Sequence, residues 1–305
     1  MPCTTPCKTA LSCVLECGNI GVSILGIDLH GLNFTRYAAR KKPLAKVATI
    51  GRQSLAIPSL QAQYGPFCEL YLMGQLGATS VDSYDTSPYE GASHLADLNK
   101  PITSPAQYDT IIDFGTTEHI YNVAQVFENI SLLCACGGQI LHVSPANNFC
   151  GHGFFQFSPE LYFSLYSEEN GYRETEVFLA DLDNTRHWFS VTRPQLGERA
   201  QSTSKSPLYV LCRTVMHNRN LRHEVQQSDY IHSWATTPPE SQAQSSLFRT
   251  AKKLVKSSPT MYAAALWLLR HRRAKQDRIG LSGKNRHFKK VPVATLLKDQ
   301  KHPAP

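Results

Sequence analysis

Several chemical signatures are missing from these 305 residues. There is no Gly-x-Ser-x-Gly elbow, no phosphate-binding loop closed by a Lys, and no His-Glu-x-x-His. Their absence argues against the common hydrolases, nucleoside triphosphatases and zinc proteases. No apolar run approaches the roughly 18 residues that a membrane helix needs. The moderately apolar stretch from Ala10 to Leu29 is interrupted by Glu16, Asn19 and Asp28 and has no small-residue cleavage site, so it does not read as a signal peptide. The nine cysteines are odd in number, and the first four (Cys3, Cys7, Cys13, Cys17) lack the tight paired spacing of zinc knuckles. A reduced, cytoplasmic setting without a bound metal is the expectation. Acids are scarce in the tail: from Arg249 onward there are 15 Lys or Arg and two acids, Asp277 and Asp299. The rest carries 16 basic and 22 acidic residues. A mildly acidic body therefore precedes a strongly basic end.

What is present is a strand–helix–strand pattern between Tyr108 and Ser144. Thr110-Ile111-Ile112 is an apolar strand ending at Asp113. A turn through Gly115 leads to Glu118-His119, which open an amphipathic helix that stops at Gly137-Gly138. Ile140-Leu141-His142-Val143 forms the next strand. Strand, helix and strand in that order make one right-handed crossover of a parallel sheet, whose functional groups sit at the strands' carboxyl ends.

The remaining segments extend that pattern. Val47 to Ile50 is a first strand, followed by a polar loop from Arg52 to Gly65 and a helix from Phe67 to Leu76. Strands are expected at Ser80–Tyr84, His94–Asp97, Glu174–Leu179 and Leu208–Thr214, and Ser158-Pro159-Glu160 starts a helix. Strands alternating with helices predict an α/β fold: a Rossmann-like doubly wound sheet, mostly parallel, with one antiparallel terminal hairpin. Residues 1–44 read as an N-terminal extension, 45–222 as the main domain and 223–245 as a linker. Residues 246–279 read as a basic helical segment and 280–305 as a disordered tail.

Candidate site residues cluster at the strand ends. Asp85 ends the second strand, where an acid accepts hydrogen bonds from ribose hydroxyls; the bland alternative is a turn before Ser87-Pro88. Asp97, with Leu98 and Asn99, ends the third strand and reads either as an adenine contact or as an Asp turn. Gly51 is the one glycine of the first loop; Arg52 beside it reads as a carboxylate or phosphate ligand or as a surface residue. Asp113, Gly115, Glu118 and His119 lie together, Glu118 as a substrate contact or a cap, His119 as a general base or a pocket wall. The segment Asn147 to Phe157, dense in amides, glycines and aromatics, reads as a lid or substrate wall. It carries His152 as a titrating group and Asn147, Asn148 and Gln156 as substrate contacts.

These residues resemble the class I S-adenosylmethionine-dependent methyltransferases. Tyr108 to Asp113 followed by Thr117-Glu118-His119 is similar to that family's fourth strand and the helix start after it. Leu132-Leu133 with Gly137-Gly138 resembles its helix-to-strand turn, without the proline. Within the superfamily the segments Ile50 to Gln53, Tyr89 to Ala92, Asp97 to Asn99 and Gly151 to Glu160 resemble a group of bacterial methyltransferase-like proteins. The resemblance covers about residues 46 to 215. It implies a seven-strand sheet with one antiparallel hairpin, S-adenosylmethionine as cofactor, and a small-molecule or saccharide acceptor. By it Gly51 lies at the cofactor loop, Asp85 at the ribose, Asp97 at the adenine and Asp113 near the transferred methyl. His119 or His152 would serve an oxygen nucleophile as base. The chain departs from the family in lacking a glycine-rich first loop. That departure keeps open a catalytically silent scaffold, associating with nucleic acid or anionic surfaces through the basic end.

Overall fold

A computed structural model describes residues 26–103, 105–194, 198–218, 225–231, 255, 257–277 and 280–298. The N-terminal cysteines, most of the expected linker and the start of the expected basic helical segment lie outside the described residues. Among the described residues nine strands form one sheet: β1 (Ala45–Ile50), β2 (Ala78–Asp85), β3 (His94–Leu95), β4 (Tyr108–Phe114), β5 (Cys134–Pro145), β6 (Tyr172–Asp181), β7 (His187–Val191), β8 (Leu208–Met216) and β9 (Phe288–Pro292). The helices among the described residues are α1 (Leu29–Lys41), α2 (Pro58–Tyr64), α3 (Glu69–Leu76), α4 (Val123–Leu133), α5 (Pro159–Leu165), α6 (Pro259–Asp277) and α7 (Val293–Leu296). Among the described residues no helix is long and apolar enough to cross a membrane.

The sheet order is β3-β2-β1-β4-β5-β8-β6-β7-β9. The first five of these strands pair in parallel, and the order reverses between β1 and β4, the switch point where such sheets open a crevice. β8 enters antiparallel between β5 and β6. An antiparallel pair thus exists, but not as a terminal hairpin: β7 intervenes in sequence and pairs with the other edge of β6, and β9 pairs with β7. Seven strands point one way, and β7 and β8 point the other.

Apolar side chains alternate across the buried strands, so both faces need cover. Ile111 and Ile140 face a layer holding Val126, Phe127, Ile130 and Leu133 of α4 with Tyr162 and Leu165 of α5. Ile112, Leu141 and Val143 face Phe34 and Tyr37 of α1 and Tyr71 and Leu72 of α3. α1 corrects the expected N-terminal extension. Asp28 Oδ1 caps the helix by accepting from Gly31 N at 2.8 Å, and Trp188 Nε1 of β7 donates to His30 Nδ1 at 3.0 Å. The Phe34 ring meets Phe114, Phe178 and Trp188 at centroid distances of 6.3, 6.5 and 5.8 Å.

Other boundaries shift for identifiable reasons. Pro58 opens α2 inside the expected polar loop, since proline suits a first helical turn. Glu118-His119 form a 3-10 turn (Thr117–His119), and α4 starts only at Val123. Gly137-Gly138 do not stop the helix but lie within β5. Gly77 does end α3, with φ +70°. Residues 280–298 are not a disordered tail: β9 covers the edge of β7, placing Phe288 in the core. α6 lies in the later part of the expected basic helical segment and exposes Trp267, Leu268 and Leu269.

Because α1 is core and not appendage, Phe34→Ala is expected to lower unfolding free energy by about 3–5 kcal/mol, read as a lower urea midpoint. A loss below ~1 kcal/mol would show that α1 is only loosely docked.

Candidate functional site

The carboxyl ends of β1, β2 and β4 meet at the switch point. Gly51 N donates to Tyr84 O at 2.8 Å, so the loop after β1 abuts the end of β2. Gly51 has φ +68°, and a Cβ there would lie 2.6 Å from Thr116 Oγ1. Only glycine is compatible with both conditions. Thr116 Oγ1 donates to Ile50 O at 2.8 Å, and Gln53 Nε2 donates to the same carbonyl at 2.7 Å. Gln53 Oε1 is buried and has no hydrogen-bond partner among the described residues.

Beside this junction lies a cleft of about 250 Å³ lined by Tyr84, Asp85, Ala96, Asp97, Leu98, Thr116 and His119, among others. It gathers Asp85, Asp97, Leu98 and His119 as the sequence suggested. Asp85 Oδ1 accepts from Ser87 N at 3.0 Å, leaving its carboxylate half-exposed at the rim. Asp97 closes a turn, accepting from Asn99 N at 3.1 Å and Nδ2 at 2.9 Å, with Lys100 Nζ at 3.1 Å. These donors hold its carboxyl below the usual range, the Asn99 side chain first. The turn reading and the cleft reading of Asp97 thus coexist.

Four of the proposed cofactor residues do not line this cleft. Arg52 is engaged elsewhere: Nε donates to Glu69 Oε1 at 2.7 Å, one terminal nitrogen reaches the carbonyls of Glu90 and Gly91, and the guanidinium stacks 4.0 Å from the Phe67 ring. It ties the loop to α3 and has no free fork for a carboxylate or phosphate. Gly51 is covered by Thr116. Gly115, at φ +81°, turns the chain after β4 and donates to Val143 O at 3.0 Å.

Asp113 is fully buried. Its carboxylate accepts from Thr117 N at 3.2 Å, Thr117 Oγ1 at 2.7 Å and His142 Nδ1 at 2.8 Å. A carboxylate only accepts, so His142 carries its proton on Nδ1, and the Tyr166 hydroxyl donates to Nε2 at 2.6 Å. Burial pushes the Tyr166 hydroxyl far up, keeping it protonated. This network is directed inward, and through it Asp113 positions the turn.

The turn places Glu118 and His119 side by side. Glu118 is 1 % exposed, and neither carboxylate oxygen has a hydrogen-bond partner among the described residues. His152 Nε2 is 3.7 Å from Oε1, longer than a hydrogen bond. Burial pushes the Glu118 carboxyl up, Asp113 adds to the rise, and His152 opposes it. The His119 and His152 ring centroids are 5.0 Å apart. Burial first, and then His152, lower the pKa of His119.

The loop after β5 brings His152 there. Phe154 N donates to Glu118 O at 2.8 Å, and a Cβ on Gly153 (φ +72°) would lie 2.9 Å from that same oxygen. Asn147, Asn148 and Gln156 go elsewhere. Asn147 Nδ2 donates to Ser202 O at 3.2 Å, Asn148 Nδ2 to Ser204 O and Ser206 O at 3.0 Å each, and Gln156 Oε1 accepts from Phe149 N at 3.0 Å. They hold two loops and line a second cleft of about 670 Å³ with Gln201, Ser202 and Thr203. Thr116, Thr117, His142 and Tyr166 escaped sequence reasoning. His142 had left a signal, as a polar residue inside an otherwise apolar strand.

No protein-family model matches the chain, and no curated protein does. Solved structures similar to it include the N-methyltransferase NodS from Bradyrhizobium japonicum WM9, at 12 % identity and TM-score 0.38 over 62 % of this chain and 94 % of that one. StiE O-MT is similar at 15 % identity and TM-score 0.40, covering 68 % and 82 %. The plantazolicin methyltransferase BpumL, in complex with S-adenosylhomocysteine, is similar at 10 % identity and TM-score 0.37, covering 63 % and 83 %.

An unpartnered buried carboxyl costs stability, and a site residue bears that cost where a fold residue would be replaced. Glu118→Gln is therefore expected to stabilise the chain at neutral pH by roughly 1–2 kcal/mol, read from the shift in chemical denaturation midpoint. Destabilisation by that amount would make Glu118 a structural residue.

Proposed function

We propose that the chain is an S-adenosylmethionine-dependent methyltransferase acting on a small-molecule or saccharide acceptor. The observation that carries this reading is the joining of Asp85, Asp97, Leu98 and His119 in one cleft at the switch point of the sheet.

The residues present fit the cofactor at its two ends. The Asp85 carboxylate at the end of β2 suits ribose hydroxyls, and Leu98 with the Tyr84 ring offers apolar surface to an adenine. The buried acceptor Gln53 Oε1, without a donor of its own, suits the ammonium of the methionine end. It stands in for part of what a glycine-rich loop would provide. When bound, S-adenosylmethionine supplies a methyl group on a positively charged sulfonium.

The chain's own residues then have separate tasks. Asp85 and Asp97 give the cleft a negative rim, which favours a cation over its neutral product. His119, its pKa lowered, keeps a free ring nitrogen at neutral pH that accepts a proton from an acceptor hydroxyl. Glu118 holds His152 beside it through the 3.7 Å contact. The loop from Phe149 to Gln156 packs against the turn that carries His119, through the Phe154 N to Glu118 O bond and the His152–His119 ring contact. Alignment matters more than acid–base chemistry in this reaction class, so precise placement of these groups is the larger contribution.

Calorimetric titration with S-adenosylhomocysteine tests the reading. Wild-type protein is expected to bind, and Asp85→Ala to weaken binding at least about tenfold, or about 1.4 kcal/mol. Arg52→Ala is expected to change the affinity far less than Asp85→Ala. No heat and no thermal shift with wild-type protein would overturn the reading and leave the scaffold.

A further inference from the structure

We infer that Glu118, His119 and His152 form a binding site for one divalent transition-metal ion. Each offers one ligand atom, and the three atoms lie within 4.8 Å of one another. Two imidazole nitrogens and one carboxylate oxygen are a donor set suited to zinc and its first-row neighbours and poorly suited to magnesium, which prefers an all-oxygen shell.

Glu118 supplies the independent sign. Its carboxylate is 1 % exposed, has no hydrogen-bond donor among the described residues, and is directed to within 3.7 Å of His152 Nε2. Buried carboxylates without donors are costly and are retained where a cation completes them. The spacing suits one. Ligand bonds of about 2.0–2.1 Å in a tetrahedral site put neighbouring donors about 3.3 Å apart, so the Glu118–His152 pair is already near its final separation. His119 is exposed, with its ring 5.0 Å from that of His152.

The surroundings hold these ligands in place. Glu118 follows Thr117, whose hydroxyl is bonded to the buried Asp113 carboxylate. His152 sits in a loop fixed by the Phe154-to-Glu118 backbone bond and by the close approach of Gly153 to Glu118. Three protein ligands leave further coordination positions open, as catalytic sites do and structural zinc sites do not. His119 also lines the proposed cofactor cleft, so the metal site would adjoin it. The site's role in holding an oxygen-bearing acceptor rests on the methyltransferase reading; its existence does not. In that role the imidazoles act as ligands, and the cation takes over the orientation of the acceptor oxygen.

Equilibrium dialysis of the full-length reduced chain against Co²⁺, with visible spectroscopy and elemental analysis, tests the site. The wild type is expected to hold one equivalent that Glu118→Gln, His119→Ala and His152→Ala each weaken at least about tenfold, whatever the cysteines bind. Zn²⁺ is expected to displace that equivalent, and Mg²⁺ at the same concentration is not. His119→Ala removes an exposed side chain and gives a readout independent of any change at the buried Glu118. Identical Co²⁺ stoichiometry and spectra in the wild type and all three variants would overturn the site, as would equal displacement by Mg²⁺. S-adenosylhomocysteine titrated into the same samples separates the two ideas. Cofactor binding without a triad-dependent Co²⁺ site sinks the metal alone; a triad-dependent Co²⁺ site without cofactor binding sinks the methyltransferase reading alone.

Discussion

The buried carboxylate of Asp113 is the contact on which the site depends. It lies at the end of β4 and accepts three hydrogen bonds, two from Thr117 and one from His142 of β5. Tyr166, just past α5, closes the chain of bonds from the far side of His142. One carboxylate therefore joins two neighbouring strands, the cap of a helix and the turn that carries Glu118 and His119. A network of this kind is stable only when each member is satisfied, and a satisfied network holds its members in one arrangement. Loss of Asp113 would leave His142 and Thr117 without their acceptor inside the core, and the turn would lose its geometry before any ligand was affected.

Glu118, five residues on, is the opposite case. Its backbone carbonyl is used twice, by Phe154 N and Phe155 N, while its carboxylate is used by no hydrogen bond among the described residues. The two carboxylates share a strand end and a low-dielectric setting, yet one is saturated and the other is not. That division separates a residue that builds the site from one that serves it. It also separates the two clefts. The larger one, lined by Asn147, Asn148 and Gln156, is edged by amides already spent on fixing loops. The smaller one adjoins the unsatisfied carboxylate through His119.

Much of this arrangement was legible in the sequence, because its determinants are local. The apolar runs of β4 and β5, the turn at Gly115 and the polar residues at the strand ends placed Asp85 at the end of β2 and Glu118 and His119 after β4, where the structure has them. What was not legible depends on distant partners. α1 reads as a weakly patterned segment until Trp188, 158 residues further on, supplies its apolar face and hydrogen bond. β9 carries Lys289 and Lys290 on exposed positions of an edge strand, so its composition resembles a solvated tail. Arg52 looked available because nothing nearby in sequence announced that Glu69 and Phe67 would claim it. Asp113 was placed at the strand end where the structure has it, but its inward turn was not legible, since that follows from His142, a residue of the next strand.

Hydrogen exchange of the full-length protein with and without S-adenosylhomocysteine is the most direct measure of the central claim that the switch-point cleft is the cofactor's seat. Slowed exchange is predicted over residues 84–86, 96–99 and 116–120, the segments that line that cleft. Unchanged exchange there, or protection confined to residues 146–148 and 200–203 of the larger cleft, would contradict it.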